Sequence, residues 1–171
     1  MSEIARIGDI EINENMPAQR RAWAIRRAGW AAMALFVLAG LAGLLGPGPL
    51  SSRIAGARGS ALWAEYNRFE RYQSPSEMRI HLGAGAAREG KVRLSLPRHF
   101  IEHIHITRID PEPEAVTAGT DRFTYTFTVP DGGGPTTATF HLEPNVYGGM
   151  PVRVWLDGGP QFLEFEQFYF P

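Results

Sequence analysis

The sequence predicts a mostly β protein in which one N-terminal transmembrane α-helix is followed by an immunoglobulin-like antiparallel β-sandwich. Three observations predict it. Residues 28–45 (AGWAAMALFVLAGLAGLL) carry no charge, amide or hydroxyl. Beyond them, apolar and polar residues alternate with period two in segment after segment. The segments are separated by Gly, Pro, Asp and Ser clusters that read as turns.

The chain has 171 residues, enough for one domain with a small appendage. Seventeen basic against eighteen acidic side chains give a net charge of -1, so no global field draws a polyanion, and nucleic acid is not an expected partner. The absence of cysteine excludes disulfides, thiolate metal sites and thiol nucleophiles.

The apolar run spans about 27 Å as a helix, close to the thickness of a bilayer core, with Trp23 and Trp30 placed for the interface. Gly46-Pro47-Gly48-Pro49 is expected to stop the helix. Arg20, Arg21, Arg26 and Arg27 precede the run, whereas only Arg53 and Arg58 follow it closely, which puts the N-terminus in the cytoplasm and the bulk outside. A cleaved signal peptide has the same order of segments. Its basic and apolar regions are normally shorter, and the small-x-small site Ala55-Gly56-Ala57 lies far beyond the run. The resulting division is a cytoplasmic tail (1–27), a span (28–46), a linker (47–60) and a periplasmic β-sandwich (61–171). The first nineteen residues are expected to be disordered, being too short to bury a core.

Strands are expected over 66–72, 78–82, 91–96, 103–109, 122–129, 136–142, 152–156 and 161–170. In the clearest, Phe123, Tyr125, Phe127 and Val129 alternate with threonines. The segment from Leu62 to Gln73 also fits a helical stripe, residues 97–102 suggest one helical turn, and a change of apolar phase near Gln167 suggests a bulge. Seven or eight short strands in about 100 residues meet the sequence criterion for the immunoglobulin-like sandwich.

His103 and His105 would share one face of a strand and could offer two ligands to a metal. His81 and His141 also point outward there, with Met78 or Met150 as soft donors. The alternative is a pair of solvent-facing histidines opposite Ile104 and Ile106. Glu112 with Glu114, and Glu164 with Glu166, are the nearest carboxylate pairs, but both read as solvated surface. No nucleophile elbow, zinc-protease motif or phosphate loop is present, so the expected function is not enzymatic and no cofactor is expected.

Trp63, Tyr66, Phe69, Tyr72, Trp155, Phe168, Tyr169 and Phe170 exceed what one buried face needs, and interfaces enrich such residues; the alternative is that strand bulges turn most of them inward, and Trp63, Tyr66, Trp155, Phe168 and Phe170 stand out as candidate contacts. In the span, Gly40 and Gly43 allow close helix approach, Ala39 and Gly43 having small-xxx-small spacing. These seven residues, the two glycines and five aromatics, are the expected partner contacts.

Tyr66-Asn67-Arg68-Phe69-Glu70-Arg71-Tyr72-Gln73-Ser74-Pro75, Ile106-Thr107-Arg108-Ile109-Asp110-Pro111-Glu112-Pro113 and the closing Gln167-Phe168-Tyr169-Phe170-Pro171 resemble uncharacterised small bacterial membrane proteins with one N-terminal span and a short external β domain. Some of these are encoded beside YetF-like membrane proteins. The resemblance implies a bacterial inner-membrane location and a membrane partner, and transfers no catalytic residue. The expectation is therefore a non-catalytic accessory protein that binds or helps assemble a larger inner-membrane complex. The alternative is a periplasmic domain that handles copper or zinc, or senses a ligand.

Overall fold

The computed structural model describes residues 6, 7, 10, 11, 16–44, 46, 48–83, 85–129, 136–156 and 160–171. Two compact units emerge, Met1–Ala39 and Gly40–Pro171. In the first, β1 (Arg6–Ile7) pairs antiparallel with β2 (Ile10–Glu11), and α1 (Met16–Leu41) follows. The expectation of disorder over the first nineteen residues needs correction at Arg6–Ile7, Ile10–Glu11 and from Met16 on, which are strand and helix, and its other residues lie outside the described ones.

α1 starts earlier and stops earlier than the apolar run. It takes in Arg20 to Arg27, with Pro17 in the first turn, where its missing N–H is not required. It ends at Leu41 because Gly43 adopts φ +89°, a left-handed conformation that closes helices, and donates to Gly40 O at 3.0 Å. A Cβ on Gly43 would meet Gly48 Cα at 2.6 Å, so two glycine backbones touch where the chain doubles back. Leu50 N–H then donates to Ala42 O at 2.9 Å, closing that loop. No side chain of α1 is buried.

The second unit is built from β3 (Ser52–Ala55), β4 (Leu62–Asn67), β5 (Phe69–Arg71), β6 (Ser76–Leu82), β7 (Lys91–Pro97), α2 (Arg98–His103), β8 (Ile104–Asp110), β9 (Ala115–Ala118), β10 (Arg122–Thr128), β11 (Thr136–Pro144), β12 (Gly148–Leu156) and β13 (Phe162–Phe170). Strand accounts for 51% of the described residues, so the mostly β expectation holds. One sheet runs β3-β4-β6-β11-β8 and the other β5-β13-β12-β7-β10-β9. Both contribute to one hydrophobic core. Met78, Ile80, Ala138 and Phe140 come from the first sheet, and Leu94, Leu96, Val152 and Val154 from the second, all without solvent exposure. The Tyr125 and Phe140 rings meet edge to face, nearly perpendicular, with centroids 5.5 Å apart.

The alternation read from sequence maps onto these faces: Tyr125 and Phe127 on β10, and Ala138, Phe140 and Leu142 on β11, point inward. The ambiguous Leu62–Gln73 segment is strand, interrupted at Arg68, and the helical turn is α2. Three further expectations need correction. Part of the 47–60 linker belongs to the domain, because β3 pairs with β4 and Ser51 is fully buried. β9, between the Pro-rich loop and β10, went unread. There is no bulge at Gln167, since β13 pairs with β12 in unbroken register from Phe162 to Tyr169. The apparent phase change arises because Gln167 occupies a buried position and Phe168 an outward one. A register shift does occur between β11 and β8, at His141/Leu142. The turns expected at 131–135 and 157–159 lie outside the described residues.

Phe140→Ala should lower the unfolding free energy of the full-length protein in mild detergent by about 4 kcal/mol, through lost burial and the cavity left behind. Val116→Ala on the exposed β9 should change it by less than about 0.5 kcal/mol. Urea denaturation followed by tyrosine and tryptophan fluorescence measures both.

Candidate functional site

The chain changes sheets at Arg68. β4 ends at Asn67 in the five-stranded sheet, and β5 begins at Phe69 in the six-stranded one, parallel to β13. Backbone and side-chain hydrogen bonds hold the crossing. Ser51 Oγ accepts from Phe69 N–H and donates to Phe69 O, both at 2.9 Å. Arg68 N–H donates to Ser51 O at 2.7 Å, and Phe168 N–H to Arg68 O at 2.8 Å. Gln167 Nε2 donates to Asn67 O at 2.9 Å, and the Tyr169 hydroxyl donates to Gln167 Oε1 at 3.1 Å. Polar Gln167 is tolerated inside because both ends of its amide are engaged.

Glu70 lies within this cluster and is fully buried. Neither carboxylate oxygen has a hydrogen-bond partner among the described residues. Burial disfavours the charged form and pushes its pKa up to about 7. The Asn67 side chain offsets part of that rise, though its geometry falls short of a hydrogen bond to either oxygen. Burial also raises the Tyr169 phenol, with the neighbouring Glu70 charge adding to it. The site can therefore take up or release one proton near neutrality.

Outside the same crossing lies a group of aromatic rings. Phe69 and Phe168 are register partners, and Phe170 stands 4.9 Å from Phe168 and 5.9 Å from Phe69 between centroids. The Arg68 guanidinium lies 5.4 Å from the Phe69 ring centroid. Tyr72, whose N–H donates to Phe170 O, stacks on the exposed Tyr147 at 4.4 Å.

The residues expected to contact a partner are only partly brought together. Phe168 and Phe170 join, with Phe69, another of the excess aromatics, as a third ring, whereas Tyr169 is buried. Trp155 lies near the other end of β12, beneath Arg122 at 4.5 Å and Arg153 at 5.9 Å. Tyr66 packs against the core, its ring stacked on the buried Phe165 at 4.1 Å. Trp63 belongs to the opposite sheet, stacked on His81 at 3.7 Å. Gly40 is helical, but Gly43 lies beyond the helix end, so the small-xxx-small spacing does not form a continuous helical face.

His103 and His105 do not share a strand face. His103 is the last residue of α2, and its Nδ1 lies 2.7 Å from His99 O, whereas the strand begins at Ile104. The period-two rule therefore does not relate them. Met78 and Met150 are in the core, unavailable to the outward His81 and His141. Among the described residues, no three His, Asp or Glu side chains are grouped as a metal site.

His81 lies 2.9 Å from Thr137 Oγ1 through Nδ1 and 3.9 Å from Glu65 through Nε2; burial lowers its pKa, partly opposed by Glu65. A depression of about 190 Å³ on this face is lined by Ser52, Glu65, Tyr66, Asn67, Glu77 and Arg79. A wider one, about 570 Å³, borders the exposed edge strand β8 and includes Ile106, Ile109, Pro113 and Val116. The carboxylates considered for catalysis include two with cationic partners, Glu114 with Lys91 at 2.7 Å and Glu164 with Arg153 at 2.9 Å.

No protein-family model matches the chain, and no curated protein is detectably similar to it.

Below pH 4.5 Glu70 is protonated in both folded and unfolded chains. Between 4.5 and about 7 only the folded protein keeps the proton, so stability falls as pH rises, and above 7 this contribution is lost. The full change is about 3 kcal/mol. Glu70→Gln should flatten the decline, as measured by urea denaturation at a series of pH values from 4.5 to 8. An unchanged slope would remove Glu70 as its source.

Proposed function

We propose that this is a bitopic bacterial inner-membrane protein, with its N-terminus in the cytoplasm and its β domain in the periplasm, that binds or helps assemble a larger membrane protein complex without catalysing a reaction. The observation that carries the reading is α1: 26 residues, apolar enough over an 18-residue window to span a bilayer, with no side chain buried by the protein. Such a helix needs an apolar medium. Arginines before the apolar run and their scarcity after it support the orientation.

The immunoglobulin-like reading is supported by strand order. Taking β4, β6, β7, β8, β11, β12 and β13 as A to G, the first sheet contains A-B-E-D and the second G-F-C, the arrangement of seven-stranded immunoglobulin domains. β3, β5 and the β9–β10 pair are additions to that frame. The domain is used here as a recognition module, as the tethered architecture and exposed aromatic residues favour. The likeness of Tyr66 to Pro75 and of Gln167 to Pro171 to small single-span proteins, some encoded beside YetF-like proteins, points toward an integral membrane partner.

Affinity purification of the full-length protein from its native membranes in mild detergent, followed by mass spectrometry, should recover an integral membrane protein in stoichiometric amount. Replacing residues 28–41 with leucines keeps an anchor but removes the small-residue surface, and should reduce that recovery. Recovery of the protein alone in both cases would overturn the assembly role.

A further inference from the structure

We infer that the aromatic patch formed by Phe69, Phe168 and Phe170, with Arg68 and Arg71 beside it, is a second membrane contact that seats on the headgroup region of the bilayer. The inference rests on the reading that α1 spans the membrane. The occupant is named by chain continuity, because the patch adjoins the point where the chain leaves α1. The helix ends at Leu41; Ala42 O accepts from Leu50 N–H at 2.9 Å; the next residue, Ser51, exchanges two hydrogen bonds with Phe69. All these residues, from the last turn of the helix to the aromatic patch, belong to the Gly40–Pro171 unit. If Leu41 is at the bilayer surface, the patch is held close to that surface as well.

Its chemistry suits this medium. Phe168 is 39% exposed, and Tyr147, stacked on Tyr72 beside it, is 57% exposed. Aromatic rings bordered by arginine are favoured where apolar chains meet anionic headgroups. Arg68 and Arg71 are exposed, whereas the acidic residue between them in sequence, Glu70, is turned into the interior. Residues 68–71 therefore present two cations outward and keep their carboxylate away from the lipid phosphates. Farther along the same outward face of β13, Glu166 and Glu164 mark where the apolar surface ends.

The chain has no cysteine, so single spin labels can be placed in the full-length protein. Labels at Leu35→Cys in α1, Pro171→Cys beside the patch and Thr117→Cys on β9, at the opposite sheet edge from β5, would be compared in nanodiscs of equal parts phosphatidylcholine and phosphatidylglycerol. Accessibility to oxygen and to a water-soluble nickel chelate gives the depth of each. The expected result is Leu35 in hydrocarbon, Thr117 in water, and Pro171 about threefold less accessible to nickel than Thr117. Phe168→Ser with Phe170→Ser, and separately the exposed Arg68→Glu, should raise nickel access at Pro171 while leaving Leu35 in hydrocarbon. A Pro171 label as wet as Thr117, with Leu35 still in hydrocarbon, would overturn the lipid contact alone and leave the patch to a protein partner. A water-exposed Leu35 would overturn both the span and the lipid contact. Protection at Pro171 that survives both patch variants would overturn the assignment to these residues.

Discussion

The crossing of one strand from the first sheet to the second at Arg68 is the constraint on which much of the β domain depends. A strand that changes sheets must leave one hydrogen-bond ladder before joining another, and the polar groups in the gap need partners. Gln167, from the last strand, supplies one at Asn67, and Ser51 supplies those at Arg68 and Phe69. One short segment thereby ties the residues after the helix, both sheets and the C-terminal strand. The same requirement explains why Gln167 and Ser51 are interior residues and why β3 lies against β4 instead of forming free linker.

Glu70 is less easily accommodated. Its register position faces the core, and its neighbours there provide a phenol already committed to Gln167 and an amide that falls short of hydrogen-bond geometry. A neutral carboxyl is far less costly in such a place than an ionised one. A three-residue edge strand contributes little through its backbone alone, so the protonation state of one side chain weighs heavily on whether it stays docked.

Elements with regular patterns were legible from sequence. β6, β10, β11 and β12 bury one face and expose the other, and the alternation revealed both their existence and their inward residues. Elements whose stability comes from distant partners were not. β9 has four exposed residues and exists because β10 offers a ladder, while β3 depends on β4. At Gln167 a hydropathy pattern assigned the wrong phase, since it cannot register that an amide is satisfied by Asn67 and Tyr169. His103 failed for a related reason: one residue separates helix from strand, and the rule that aligns i with i+2 stops there. Of the candidate contacts, Phe168 and Phe170 were visible as an aromatic terminal strand, but Phe69 joins them only through parallel pairing across the domain. Glu70 offered one signal, an acid between Phe69 and Arg71 in a segment otherwise rich in aromatics.

Three partly exposed phenylalanines are a small surface. At roughly 25 cal/mol per Å² of apolar area, their burial could not hold a free domain on a bilayer against the freedom it would lose. A spanning helix alters that balance. With α1 spanning the bilayer as proposed, the domain would already be confined to the membrane surface, the loss of translational freedom would already have occurred, and the patch would have only to select among orientations at that surface. Under those conditions even 1 to 2 kcal/mol, approximately, is enough to favour one orientation by about a factor of ten. The patch need not bind membranes by itself to matter. Its contribution would be to bias which face of the β domain is turned toward the lipid.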